Sequence, residues 1–105
     1  VSEFIDQLKE NAAEDIEMIR KKNSDYSANK DPFHNFTSVE TAGLVDTETA
    51  IAVRMNDKMQ RVMSILGKDE REIQEETLHD TLSDLRNYAN ILQAYVQLNG
   101  EGDSR

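Results

Sequence analysis

The chain of 105 residues contains no cysteine and no tryptophan, and only one proline and four glycines. Without cysteine there is no disulfide, no thiolate zinc site and no thiol nucleophile, a composition that suits a reducing cytoplasm. The longest apolar runs reach four residues, against the roughly 20 that a membrane span requires. No basic segment followed by an apolar stretch opens the chain, so it reads as unexported, with no membrane partner and a cytoplasmic location. Basic residues are also in short supply, 12 Lys and Arg against 21 Asp and Glu, for a formal charge of -9. A surface of that sign repels phosphate polymers, so DNA and RNA are not expected partners, whereas divalent cations are. Few strand formers and few turn formers leave an all-α fold. The length suits one domain, here residues 1–100, with a polar tail at 101–105.

Helical periodicity then divides the chain. Ser2 caps a predicted helix over about 3 to 22, whose stripe is Ile5, Leu8, Ala12, Ile16 and Ile19. Arg20, Lys21 and Lys22 suit its C-terminal end, and Asn23, Ser24 and Asp25 continue a helix poorly. The stretch from about 24 to 37 has no helical period, yet Tyr26, Phe33 and Phe36 make it an ordered loop that packs. Thr37 and Glu40 have capping-box spacing for one short turn that Gly43 ends. A second helix is predicted over about 47 to 66, from Asp46 to a left-handed cap at Gly67, with Ile51, Met55, Met59, Val62 and Leu66 as its stripe. Asp69 and Glu72 suggest the start of a third, over about 70 to 98, with Leu78, Leu82, Leu85, Ala89, Leu92 and Val96 facing the core. A helix of that length spans about 42 Å, so the expected fold is an elongated antiparallel bundle of three main helices. Ile91, Tyr95 and the methionines of the second helix lie on flanks that three helices cover poorly, which predicts completion by oligomerisation into a homodimer or homotetramer.

Two charged constellations carry chemical potential. Glu76, Asp80 and Asp84 stack at every fourth position within an arc of about 80°. Like charges so spaced repel, and a Mg²⁺ or Mn²⁺ ion relieves them; the same column is equally the solvated face of an amphipathic helix. Arg54, Lys58 and Arg61 fall within about 60° on the second helix, a basic edge suited to polyphosphate or simply paired with neighbouring acids. Asp57 sits among these cations and can orient one of them. Lys22, Asp25 and Tyr26 combine a cation, a carboxylate and an aromatic ring, suited to phosphate, metal and base, or else to a helix stop with a packed tyrosine. His34 and His79 do not make a ligand pair by spacing. A glycine-rich phosphate loop and a Ser/His/Asp set are both missing, which leaves metal-assisted water attack among hydrolytic mechanisms.

The order of short motifs adds a resemblance. Lys22-Asn23-x-Asp25-Tyr26, Asp31-Pro32-Phe33-x-Asn35-Phe36, Arg54-Met55-x-Asp57-Lys58-x-x-Arg61 and Glu76-x-x-x-Asp80-Thr81-Leu82-x-Asp84-Leu85-x-Asn87-Tyr88 follow one another across residues 20 to 92. Together they resemble the nucleotide-modification-associated domain of bacteriophage and bacterial proteins, a branch similar to the all-α, MazG-like nucleoside triphosphate pyrophosphohydrolases. The resemblance implies an oligomeric, Mg²⁺-dependent hydrolase of nucleotides in a bacterial or phage-infected cell. Such an enzyme cuts a nucleoside triphosphate between the α and β phosphates and releases a monophosphate and pyrophosphate. On that reading Glu76 and Asp80 hold the metal, Asp84 is a third ligand or the base for water, and Asp25 completes the metal site. Arg54, Lys58 and Arg61 hold phosphates, and Tyr26, Asn87 and Tyr88 line the base or sugar site. The paired-glutamate motif Glu-Glu-x-x-Glu of the superfamily does not occur on the second helix, and the third-helix acids are spaced Glu-x-x-x-Asp. A module that binds nucleotides without hydrolysing them is therefore the alternative expectation.

Overall fold

A computed structural model describes residues 1–26, 33–68 and 75–99, with side chains at 1–22, 33–68 and 77–99. Four helices occupy them: α1 (Ser2–Tyr26), α2 (His34–Thr41), α3 (Thr47–Leu66) and α4 (Glu75–Asn99). All regular structure among the described residues is helical, and no helix there is long and apolar enough to cross a membrane. By their contacts the residues form two compact units, Val1–Pro32 and Phe33–Arg105. The tail at 101–105 and the capping box expected at Asp69 and Glu72 lie outside the described residues.

The expected count of three main helices is corrected to four, and the difference lies in α2. The segment read as loop plus a single turn folds into eight helical residues beginning at His34, with no side-chain cap at Phe33. Packing replaces the missing cap. Phe33, Phe36 and Val39 recur every third residue and are all half-buried, and Phe33 and Phe36 set their rings edge-on to Tyr95 and Tyr88 of α4 at 5.3 and 6.1 Å between centroids. Rings in that geometry contribute beyond their buried area. The end of α2 obeys its sequence. Gly43 takes φ +78, its N–H bonds the Glu40 carbonyl, and the Leu44 N–H bonds that of Val39, the paired closure that a left-handed glycine allows.

Glu40 has a different partner from the one its spacing implies. Thr37 lies inside α2, and the Glu40 carboxylate instead accepts from the Thr47 N–H at 2.7 Å, at the start of α3. Asp46 caps the same end by accepting from the Thr49 N–H at 2.7 Å. Two otherwise orphaned first-turn donors of α3 are thereby satisfied. At the other end Gly67 stays right-handed, at φ -79, and its N–H closes on the Met63 carbonyl. The left-handed cap expected there does not form.

α3 packs on both α2 and α4. Its buried face is Thr47, Ala50, Ile51, Val62 and Ile65, so Met59 and Leu66 of the expected stripe turn to solvent. On α4 two seams run side by side at alternating steps of three and four residues. Thr81, Asp84, Tyr88, Ile91 and Tyr95 form one; Leu78, Leu82, Leu85, Ala89, Leu92 and Val96 form the other, about 100° around the helix. Every residue of the leucine seam is half-buried, whereas Thr81 is buried outright. The seam that meets α3 is therefore the more polar of the two.

α1 is a 25-residue helix. It runs on through Asn23, Ser24 and Asp25 to Tyr26, because no Gly or Pro interrupts it and each weak former costs at most about 0.7 kcal/mol. Its expected core stripe is largely exposed, with Leu8 at 46% and Ile16 at 57%. Only Ile19 of that stripe is half-buried. Among the described side chains of this helix, the buried one is Asp15, beside Ile16.

Candidate functional site

Two contacts fix the register of α3 against α4. The Lys58 Nζ lies 3.0 Å from Asp84 Oδ2, and the Arg54 guanidinium sits 5.8 Å from the centre of the Tyr88 ring. One turn back on α3 corresponds to one turn forward on α4, so these two helices are antiparallel. Lys58 of the basic edge and Asp84 of the acidic column thus meet across one seam, and extending the register sets Arg61 near the level of Asp80 and Thr81.

Within that seam Lys58 and Asp84 are well sheltered, their side chains 25% and 28% exposed. A charge-assisted bond so placed is worth about 1–2 kcal/mol. Arg54 also approaches Asp57 at 3.7 Å, but those side chains are 53% and 55% exposed, and pairs of that kind contribute a few tenths of a kcal/mol. The neighbouring Tyr88 holds the Arg54 guanidinium pKa further above its ordinary value, with the nearby Asp57 carboxylate adding to the effect. Tyr88 is accordingly held from two sides, by Arg54 and by the edge-on ring of Phe36.

Asn87, one turn from Asp84, is buried, and its Oδ1 has no hydrogen-bond partner. A buried acceptor left open costs about 1–3 kcal/mol. Thr47 Oγ1 is in the same state at the start of α3. Thr81, by contrast, returns its hydroxyl to the Thr77 carbonyl at 2.8 Å, which satisfies a polar group facing α3.

Of the residues singled out from sequence, Arg54, Asp57, Lys58, Asp84, Asn87 and Tyr88 come together around this seam. Asp80 and Arg61 are exposed on its flank. Glu76 is helical, and its side chain lies outside the described residues. Lys22, Asp25 and Tyr26 form the end of α1 in the other unit; Lys22 is exposed, and the side chains of Asp25 and Tyr26 also lie outside the described residues. Phe36 is the neighbour that residue-by-residue reasoning left out of the site. Its place in the Asp31-Pro32-Phe33-x-Asn35-Phe36 motif was the available signal.

Among the described residues no group of three or more His, Asp or Glu side chains is placed to hold a metal ion. The donors at the seam, Asp80 and Asp84 one turn apart, suit Mg²⁺ in its usual mode, in which one or two carboxylates share the ion with phosphate oxygens and water. The chain matches no family model, no curated protein and no solved structure.

Proposed function

We propose that the seam between α3 and α4 binds a nucleoside triphosphate, and that the chain is a Mg²⁺-dependent pyrophosphohydrolase. The observation that carries this reading is the meeting of Lys58 and Asp84 at 3.0 Å, which joins a phosphate-binding edge to a carboxylate column at one level. Arg54 and Lys58 take the phosphates, with Arg61 at the outer end. Tyr88, backed by Phe36, offers an aromatic face, and the open Oδ1 of Asn87 accepts an N–H or O–H from base or sugar. Asp80 and Asp84 would hold the metal, with Glu76 as the further carboxylate of the column. Mg²⁺ supplies charge neutralisation on the phosphates. Water adds to the α phosphorus, the bond to the bridging oxygen breaks, pyrophosphate leaves with the electron pair, and a column carboxylate takes the proton.

A second reading has its own support. The Lys58 ammonium occupies Asp84, and no three-carboxylate group is assembled among the described residues, features that suit a module capturing a nucleotide without cutting it. Exposure of Phe4, Leu8 and Ile16 along α1 supports self-association into a homodimer or homotetramer. A cytoplasmic location, with nucleotides rather than nucleic acid as partners, completes the proposal.

The test is release of pyrophosphate from a panel of standard and modified nucleoside triphosphates in Mg²⁺, Mn²⁺ or EDTA. Release that needs metal and disappears in Asp80→Asn supports the hydrolase. Nucleotide binding without turnover across the panel selects the capture module instead.

A further inference from the structure

We propose that the stripe Ala52, Met55, Met59, Met63 and Leu66 of α3 is a self-association surface, on which a second copy of the chain lays its own α3 antiparallel, about a two-fold axis at Met59. The inference rests on the self-association reading above, to which it gives a surface, and uses nothing of the nucleotide site.

α3 divides lengthwise by charge. Arg54, Asp57, Lys58 and Arg61 fall within about 100° of one another, on the side that meets α4. The opposite half carries no charge from Thr49 to Leu66, in a chain of which 31% is charged. The stripe lies in that half, within an arc of about 80° and about 110° around from the buried face. Met59, Met63 and Leu66 are 45%, 49% and 58% exposed, Ala52 is exposed and Met55 half-buried. Adjacent exposed apolar side chains on one helix face mark a contact surface. Methionine suits such a surface, because its unbranched thioether adapts to whatever it meets. A face without charge gives an ionic ligand nothing to pair with.

Spacing identifies the occupant. About Met59 the stripe steps by -7, -4, 0, +4 and +7 residues, so it reads the same from either end. Turned end for end, a second α3 sets Met59 against itself, Met55 against Met63 of the other copy, and Ala52 against Leu66, a small residue opposite a large one. A two-fold contact has to be self-complementary in this way, whereas a foreign partner imposes no such symmetry. The exposed amides of Asn56 and Gln60 flank the stripe on one side, where those of the two copies come side by side as mutual donors and acceptors. Charge points to the same surface. Two chains of net charge -9 repel, and contact costs least where neither presents a charge. The stripe is about 21 Å long, which places it among interfaces under about 1,200 Å², with association expected at about 10–100 µM.

The experiment is sedimentation equilibrium of the full chain over about 5 to 500 µM, beside Met59→Glu, Met59→Lys and, on α1, Leu8→Glu. Wild type is expected to pass from monomer to dimer over that range. Either Met59 variant is expected to weaken the dimer about hundredfold, since each sets two like charges face to face at the axis. Mixed one to one, the two Met59 variants are expected to associate again, because position 59 of one copy meets position 59 of the other. Raising NaCl from about 0.05 to 0.5 M is expected to tighten the wild-type dimer a few-fold, through screening of the mutual repulsion. A mixture that stays monomeric, or a dimer that salt weakens, overturns the proposal. A dimer that survives both Met59 changes and dissociates in Leu8→Glu moves self-association to α1 and removes this surface alone. Wild type that stays monomeric at every concentration removes the surface together with self-association. Circular dichroism checks that the variants fold; if the Met59 pair does not, Met63→Glu mixed with Met55→Lys replaces it, since those positions also meet across the axis.

Discussion

α1 and α4 have the same length, 25 residues, and both carry an apolar stripe at helical spacing, yet they use it in opposite ways. On α1 the stripe is mostly exposed and the buried residue is an aspartate. On α4 the leucine seam is half-buried, while the seam against α3 holds Thr81, Asp84 and Tyr88. An amphipathic pattern states which face is able to be buried. The neighbouring helix decides which face is, and a polar face is chosen where its groups find partners, as Asp84 does in Lys58 and Thr81 in the Thr77 carbonyl.

The sharpest way to break the comparison is through the core of α3. Ile51 is fully buried, so Ile51→Ala is expected to cost about 2–5 kcal/mol, read from the urea midpoint followed by circular dichroism. Next comes the ion pair. A double-mutant cycle on Lys58 and Asp84 is expected to give a coupling of about 1–2 kcal/mol. The same cycle on Arg20 and Glu17 of α1, both more than two-thirds exposed, is expected to give a few tenths. Equal couplings would mean that shelter in the α3–α4 seam contributes nothing. Gly43→Ala is expected to cost about 1 kcal/mol, through the left-handed backbone and not through crowding, since nothing lies within 4 Å of the added methyl. Ile16→Gln on α1 is expected to change monomer stability by less than about 0.5 kcal/mol; a larger loss that grows on dilution would reveal a second copy on that face.

These contrasts also explain what was legible beforehand. The all-helical class, the span of α3 and its Asp46 cap follow from local signals, because capping and periodicity are written within a few residues. α2 was hidden because its helical state rests on ring contacts to α4 that no local pattern encodes. Glu40 misled for the same reason, since a carboxylate three residues after a threonine serves its own helix or the next one equally well. In the candidate site, Arg54, Lys58 and Asp84 could be named from the sequence as members of two edges. That the edges touch depends on the antiparallel register of α3 and α4. Asn87 was named as well, but its unpartnered oxygen is a property of packing alone.

The double capping of α3 has a consequence in time as well as in energy. First-turn amides of a helix have no partner within it, and such groups ordinarily exchange their hydrogens with solvent quickly. Here the Thr47 and Thr49 N–H groups are each held by a carboxylate at 2.7 Å, and Thr47 is almost wholly buried. Their deuterium uptake should be slow for first-turn amides, and Glu40→Ala should restore rapid labelling at Thr47 while leaving Thr49 slow. The start of α3 would then serve as a clock for the attachment of α2, reporting each excursion of that short helix as a labelled Thr47.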